Sequence, residues 1–221
     1  MGIFPNEMEA IVRQLSGGLL VSVEIFILTL ILSLPLGLVF LFGRMSKKAV
    51  IRTVTKIYIS VMRGTPLMLQ LMVVYFAPYY IFRISLTNSY RFYAVIIGFV
   101  LNYAAYFAEI YRGGIESIDI GQYEAANVLG FSKYQTFFRI ILPQVIKRIM
   151  PSVTNEVITL VKDTSLAMVI SVSEMFTSAK ALASAQVSVL PFIAAGVFYY
   201  IMNYLVALAM ELCEKRMSYY R

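Results

Sequence analysis

What this 221-residue chain lacks narrows it before anything it contains. It has no histidine, no tryptophan and one cysteine, and charged residues make up only 14% of it. Without histidine the commonest metal ligand and the usual neutral-pH base are missing, so a Ser–His hydrolase or an imidazole metal centre is excluded. Cys213 alone forms neither an internal disulfide nor a thiolate cluster, and no metal site is expected. No G-x-x-x-x-G-K-[ST] stretch occurs, so the chain has no phosphate-cradling loop of its own. No His or Cys constellation and no Ser with a plausible base supports hydrolytic or redox chemistry, and the chain is not expected to be an enzyme.

Charge is scarce because 60% of the residues are hydrophobic, an excess that a soluble domain of this length rarely carries. The apolar residues also come in blocks, and crossing a bilayer takes about 20 of them in a row. Segments at about 18–42, 64–82, 92–110, 149–175 and 189–212 qualify. The fourth is unusual, since it includes Glu156, Lys162, Asp163 and Glu174. The first is too long, and too acidic in its flank, for a cleavable signal peptide. No repeat of 20–50 residues is visible. The expectation is an all-α integral membrane protein with five transmembrane helices in a single domain, 1–221.

The net charge of +7 raises the possibility of nucleic acid, but its distribution gives another reason for it. Arg44, Lys47, Lys48, Arg52 and Lys56 follow the first span. Arg112, Lys133, Arg139, Lys147 and Arg148 fall between the third and fourth, and Lys215, Arg216 and Arg221 follow the fifth. Only Arg13, Arg83, Arg91 and Lys180 fall on the other side. Basic residues concentrate on the cytoplasmic side of membrane proteins, so the N-terminus is expected outside and the C-terminus inside. Nucleic acid is not an expected partner; membrane lipid is.

Between the spans, 47–62 alternates basic and apolar residues at helical spacing and is expected along the inner interface. The stretch 78–93 reads as an outer loop with an aromatic belt. The largest cytoplasmic segment, 113–148, is too short for a catalytic domain but fits two short helices. The first, 121–129, is ended by Gly130, which takes the left-handed cap cheaply. Ser132 and Gln135 form a capping box for the second. That second helix is expected to stop near Leu142, because Pro143 disfavours helix in the residue before it. Tyr123, Val128, Leu129, Phe131, Tyr134, Phe137 and Phe138 are expected on show. The residues alone leave open a docking surface, a helix lying on lipid, or a plain connector.

At this segment the sequence becomes recognisable. Glu124-Ala125-Ala126, Gly130 and Ile140-x-Leu142-Pro143 resemble the EAA motif of binding-protein-dependent ABC importer permeases. "RGTPLMLQL" (63–71), "AEIYRGGIESIDIGQYEAA" (108–126) and "LVKDTSL" (160–166) are similar to the polar amino-acid branch of the type I importers. The resemblance covers nearly the whole chain. It implies a type I importer permease fold that forms the translocation pathway for a polar amino acid in the bacterial inner or plasma membrane. It implies a second permease copy, identical or a sister subunit, an extracytoplasmic solute-binding protein, and two ATPase subunits that bind ATP and Mg²⁺. It also implies that 113–148 holds a coupling helix, with Tyr123, Glu124, Ala125, Ala126, Leu129 and Gly130 at the ATPase.

An ionisable group inside a bilayer costs about 2.5–3.5 kcal/mol even on the lenient insertion scale, so each such residue needs a reason. Lys162, Asp163, Thr164 and Ser165 sit amid apolar sequence at membrane depth. An amino-acid zwitterion needs a cation for its carboxylate and an acid or carbonyls for its ammonium, and local unwinding of a helix supplies both kinds of partner. The competing reading is a charge pair that holds a kink. In the third span Gly98, Asn102, Tyr106, Glu109 and Gly113 form one helical stripe. Asn102 and Tyr106 either line a pathway or cross-brace helices. Glu109 and Arg112 read as an ion pair or gate, and Gln70 and Thr65 as lesser pathway candidates. Ala104 and Ala108, on another face, suit close helix packing. Two other functions stay open: a permease for another small solute, and an ion-coupled secondary transporter in which Lys162 and Asp163 relay ions.

Overall fold

The structure is a computed structural model that describes residues 5–217, with side chains from residue 8 onward. Arg221, counted above in the charge asymmetry, lies outside the described residues. Among those residues every regular element is helical: α1 (Pro5–Arg44), α2 (Ala49–Gly64), α3 (Leu67–Phe82), α4 (Asn88–Glu116), α5 (Ile120–Val128), α6 (Lys133–Gln135), α7 (Leu142–Asp163), α8 (Met175–Gln186) and α9 (Leu190–Arg216). A π-helical turn, Thr136–Ile141, joins α6 to α7, and a 3₁₀ segment, Thr164–Ile170, extends α7. Within α1, α4 and α9, stretches of 37, 29 and 27 residues are each long and apolar enough to cross a membrane. Two bent pairs qualify when each counts as one span, the α2–α3 pair at 113° and the α6-to-3₁₀ run with α8 at 60°.

The core forms where α1 and α4 run side by side. Phe99, Tyr103 and Phe107 of α4 are buried with Ile25 of α1, Leu71 of α3 and Leu160 of α7. Small residues on α1 let the backbones approach: Ser22, Thr29 and Ser33 are fully buried. A Cβ on Gly37 would lie 2.9 Å from that of Phe107, and one on Gly18 would lie 2.7 Å from the Met175 Cα. Helix association in lipid depends on such close approach, because apolar burial alone gains nothing there. Ala104 and Ala108 are buried as the small-xxx-small spacing predicts.

The structure departs from the sequence expectation at Pro143. The helix does not stop there but continues through the π turn into α7, with Pro143 in its first turn. A proline ring clashes with the carbonyl four residues back and leaves it without a donor. The wider π turn immediately before α7 accommodates that defect in a way an unbroken α-helix does not.

Candidate functional site

The two bent pairs place the polar membrane residues at two very different helix breaks. At the first, Thr65 and Pro66 interrupt α2 and α3, and Pro66 has no N–H to offer. The freed carbonyls are satisfied by side chains. The Gln70 amide nitrogen lies 2.9 Å from the Met62 carbonyl, 3.1 Å from the Thr65 carbonyl and 2.8 Å from Thr65 Oγ1. From α4, Asn102 donates to the Met62 carbonyl (3.1 Å) and to Gln70 Oε1 (2.9 Å). Thr65 Oγ1 donates to the Val61 carbonyl (2.8 Å). Asn102 is 5% exposed and binds the broken backbone in this way. Tyr106, one turn below, stacks under the Arg63 guanidinium, 5.4 Å from ring centre to Cζ.

The second break is built by α7 tightening into the 3₁₀ segment, followed by Ser171 in the left-handed conformation at φ 60°. Thr164 is fully buried and donates to the Val161 carbonyl (2.8 Å), while Ser165 donates to the Lys162 carbonyl (2.8 Å). Both hydroxyls thus hold the last carbonyls of α7. Asp163 is half-buried and accepts from the Tyr103 hydroxyl at 2.7 Å. Lys162 is exposed and has no ion pair among the described residues. The two charges do not face each other, as their adjacent helical positions require.

Residues that the sequence left unassigned complete this region. Glu156 lies two turns before Asp163 on the same side of α7 and is half-buried. Ser152 and Asn155 are exposed and Thr159 is partly so. At 100° per residue these four, with Lys162 and Asp163, fall within one sector of roughly 120°. Neutral polar residues cost too little in a membrane span to stand out by composition, which is why this ridge was not legible. Glu174, the other unassigned charge, is fully buried and caps α8. It accepts from the Phe176 and Thr177 amides (both 2.6 Å), Thr177 Oγ1 (2.8 Å), the Tyr199 hydroxyl (3.1 Å) and Ser22 (3.5 Å). It ties α1, α8 and α9 together, and a buried carboxylate with that many donors is stable. The acid three residues before Thr177, just after an interrupted helix, was the available signal.

At the inner end, Arg112 pairs with both Glu109 and Glu116 of its own helix. Glu109 lines a cleft of about 330 Å³ with Gly113, Ser117, Arg148 and Ser152, between α4 and α7. Below it the cytoplasmic segment folds largely as its motifs dictate. Asp119 caps α5 by accepting from Gly121 (2.7 Å). Gly130 at φ 78° closes a Schellman motif, with its amide bonded to the Asn127 carbonyl and that of Phe131 to Ala126, each at 3.0 Å. Both halves of the Ser132–Gln135 capping box are present.

This geometry sorts the residues expected at a docking surface. Glu124, Ala125, Leu129 and Gly130 are exposed. Ala126 is buried at 1%, and Tyr123 packs beside Ile118 and Ile141, so these two support the surface from beneath. Val128, Leu129 and Tyr134 stay more than 70% exposed, and the Tyr134 ring lies 4.6 Å from that of Phe138. Phe138 is exposed to a lesser degree, whereas Phe131 and Phe137 are half-buried rather than on show.

Residues 19–219 match the family described as binding-protein-dependent transport system inner membrane component. The chain is 36% identical over 208 residues to the L-cystine transport system permease protein TcyB of Bacillus subtilis (strain 168), covering 93% of this chain and 87% of that protein. It is 35% identical over 201 residues to a putative glutamine transport system permease protein, GlnP, of Rickettsia typhi, covering 90% and 91%. A solved structure of an amino acid ABC transporter with histidines superposes with a TM-score of 0.87 at 29% identity, over 98% of this chain and 100% of that one.

Proposed function

Since the chain belongs to the family of binding-protein-dependent transport system inner membrane components, we propose that it lines the translocation pathway for a polar amino acid, with Lys162 and Asp163 at the site. Membership sets aside the ion-coupled secondary transporter, because members of this family work as permease subunits with a separate ATPase. The observation that carries the site assignment is the polar ridge of α7. Ser152, Asn155 and Lys162 are exposed and Thr159 partly so on one side of the helix, beside the half-buried carboxylates of Glu156 and Asp163, while Val157, Leu160 and Val161 are buried. Lipid cannot satisfy such a face, so water, substrate or a second permease copy must cover it.

The chemistry suits a zwitterion. Lys162 offers an ammonium to a carboxylate, and Asp163 offers its second oxygen to an ammonium, held in place by Tyr103. Both relatives named above carry amino acids in their names, cystine and glutamine, which supports this class of substrate. Energy enters from two ATPase subunits that bind ATP and Mg²⁺, one under each permease copy, through Glu124, Ala125, Leu129 and Gly130. An extracytoplasmic binding protein delivers the solute to the outer side. The orientation is N-terminus out and C-terminus in, in the bacterial inner or plasma membrane, with spans near 18–42, 64–82, 92–110, 149–175 and 189–212.

Cysteine labelling tests the ridge. In a Cys213→Ser background, Asn155→Cys and Thr159→Cys in the reconstituted importer are expected to react with a charged maleimide, and bound amino acid is expected to slow them. Val197→Cys, on the apolar face of α9, is expected to stay unreactive. Labelling of Val197→Cys with none at 155 and 159 would overturn the assignment.

A further inference from the structure

The α1–α2 elbow carries a feature outside the candidate site described above. Between Arg44 and Arg63 the sequence holds Lys47, Lys48, Arg52 and Lys56 and no acidic residue. All four are exposed, and none forms an ion pair among the described residues. Lys48 at the N-cap of α2, then Arg52 and Lys56 within it, follow one another at four-residue spacing along one side. Val50, Val54, Ile57 and Val61 form another, nearly opposite ridge and are 51–75% exposed.

The helix is fixed in this posture by contacts beside its basic ridge, opposite the apolar one. Thr55 and Ile59 are its two buried residues. Tyr58 donates to the Leu101 carbonyl of α4 at 2.6 Å and stacks on Phe40 of α1 at 4.3 Å between ring centres. Gly43 of α1 comes so near that a Cβ there would lie 2.6 Å from Thr55 Oγ1. The apolar ridge therefore cannot turn inward, and α2 does not continue the line of α3, from which it departs by 113°. An apolar face that stays outside the protein, joined to a run of cations at the end of a membrane span, has a natural occupant. It is the boundary between acyl chains and phosphate headgroups.

We propose that the α1–α2 elbow is a binding surface for anionic phospholipid, with Lys47, Lys48, Arg52 and Lys56 on the headgroups and the valine–isoleucine ridge in the acyl region. Charge complementarity selects this occupant. A second copy of the elbow would bring like charges together with no acid between them. An ATPase surface would leave the apolar ridge unexplained, whereas long basic side chains reach from an acyl-facing helix to headgroups without strain. A surface with four unpaired cations prefers anionic to zwitterionic lipid strongly, since each basic residue near such a membrane adds to binding.

Lipid retention tests this without reference to uptake, so its failure leaves the transport reading intact. The intact importer, permease with its ATPase, is purified from an equimolar mixture of phosphatidylcholine and phosphatidylglycerol, and the retained lipid is measured by mass spectrometry. The unmodified complex is expected to retain phosphatidylglycerol in excess. The combined variant Lys47→Gln, Lys48→Gln, Arg52→Gln, Lys56→Gln is expected to lower that excess by at least about tenfold. Lys47→Arg, Lys48→Arg, Lys56→Arg, which keeps charge, is expected to preserve it, as is Lys133→Gln on the coupling segment. An unchanged excess in the glutamine variant overturns the proposal. So does cross-linking of a photoreactive group at position 52 to the ATPase or a second permease copy instead of lipid. If the glutamine variant fails to assemble, Arg52→Gln alone must still lower the excess for the proposal to stand.

Discussion

Among the described residues two candidate spans are broken by a sharp bend, and the two breaks differ in what their polar groups have left to give. At the α2–α3 break, Gln70, Asn102 and Thr65 spend their hydrogen-bonding capacity on the carbonyls of Val61, Met62 and Thr65. At the α7–α8 break, Thr164, Ser165 and Glu174 hold the backbone in the same manner, yet Lys162 and one side of Asp163 remain uncommitted. A polar residue in a membrane span is therefore not a functional marker by itself. Partner geometry decides, since a side chain whose donors and acceptors are all engaged within the chain has nothing to offer a solute.

The sharpest way to break this comparison is to neutralise the open break. Asp163→Asn keeps size and the tyrosine contact but removes the charge offered to an ammonium. A hydrogen bond to a charged group contributes about 1.5–3 kcal/mol, which corresponds to roughly 10- to 100-fold in affinity. Uptake by the reconstituted importer is expected to fall by that factor, with assembly and melting temperature unchanged. Uptake at the unmodified level would place the break with the closed one.

The closed break is expected to respond in the opposite way. Gln70→Leu and Asn102→Leu together leave the partly buried Met62 carbonyl without its two side-chain donors. Each buried group left unsatisfied costs about 1–3 kcal/mol. The pair is expected to lower the melting temperature of the detergent-solubilised chain clearly while leaving uptake per folded molecule within about twofold, the small effect typical of positions remote from a site. A stable protein with lost uptake would show instead that this network lines the pathway.

Much of this contrast was hidden in the sequence, for identifiable reasons. Local motifs were legible: the Gly130 cap and the Ser132–Gln135 box depend on residues within one turn of each other. So was the four-residue Lys162–Ser165 cluster, because charge inside an apolar run is expensive. The partnership of Gln70 with Asn102 was not, since 32 positions separate them and no periodicity links one helix to another. Pro143 misled because the rule that proline ends a helix omits the π turn that lets one continue. Glu174 read as a membrane charge of no assigned role, and only the fold shows that its donors come from α1, α8 and α9.

The smallest expected effect concerns the one contact that links the open break to the core. Tyr103 is 2% exposed, stacked parallel to Phe99, and its hydroxyl reaches Asp163 at 2.7 Å. Its ring is structural and its hydroxyl is a positioning group, so Tyr103→Phe separates the two. The ring packing stays, and a net contribution of about 1 kcal/mol from the hydrogen bond is lost, close to a fivefold change. If Tyr103 serves to orient Asp163 toward a solute, the half-saturating amino-acid concentration rises by about that factor while the maximal rate and the melting temperature hold. If the bond merely steadies the end of α7, melting falls and the half-saturating concentration stays put. In that second case Asp163 would belong with Gln70 and Asn102 among the residues that close a break, and Lys162 would be left as the uncommitted charge at this break.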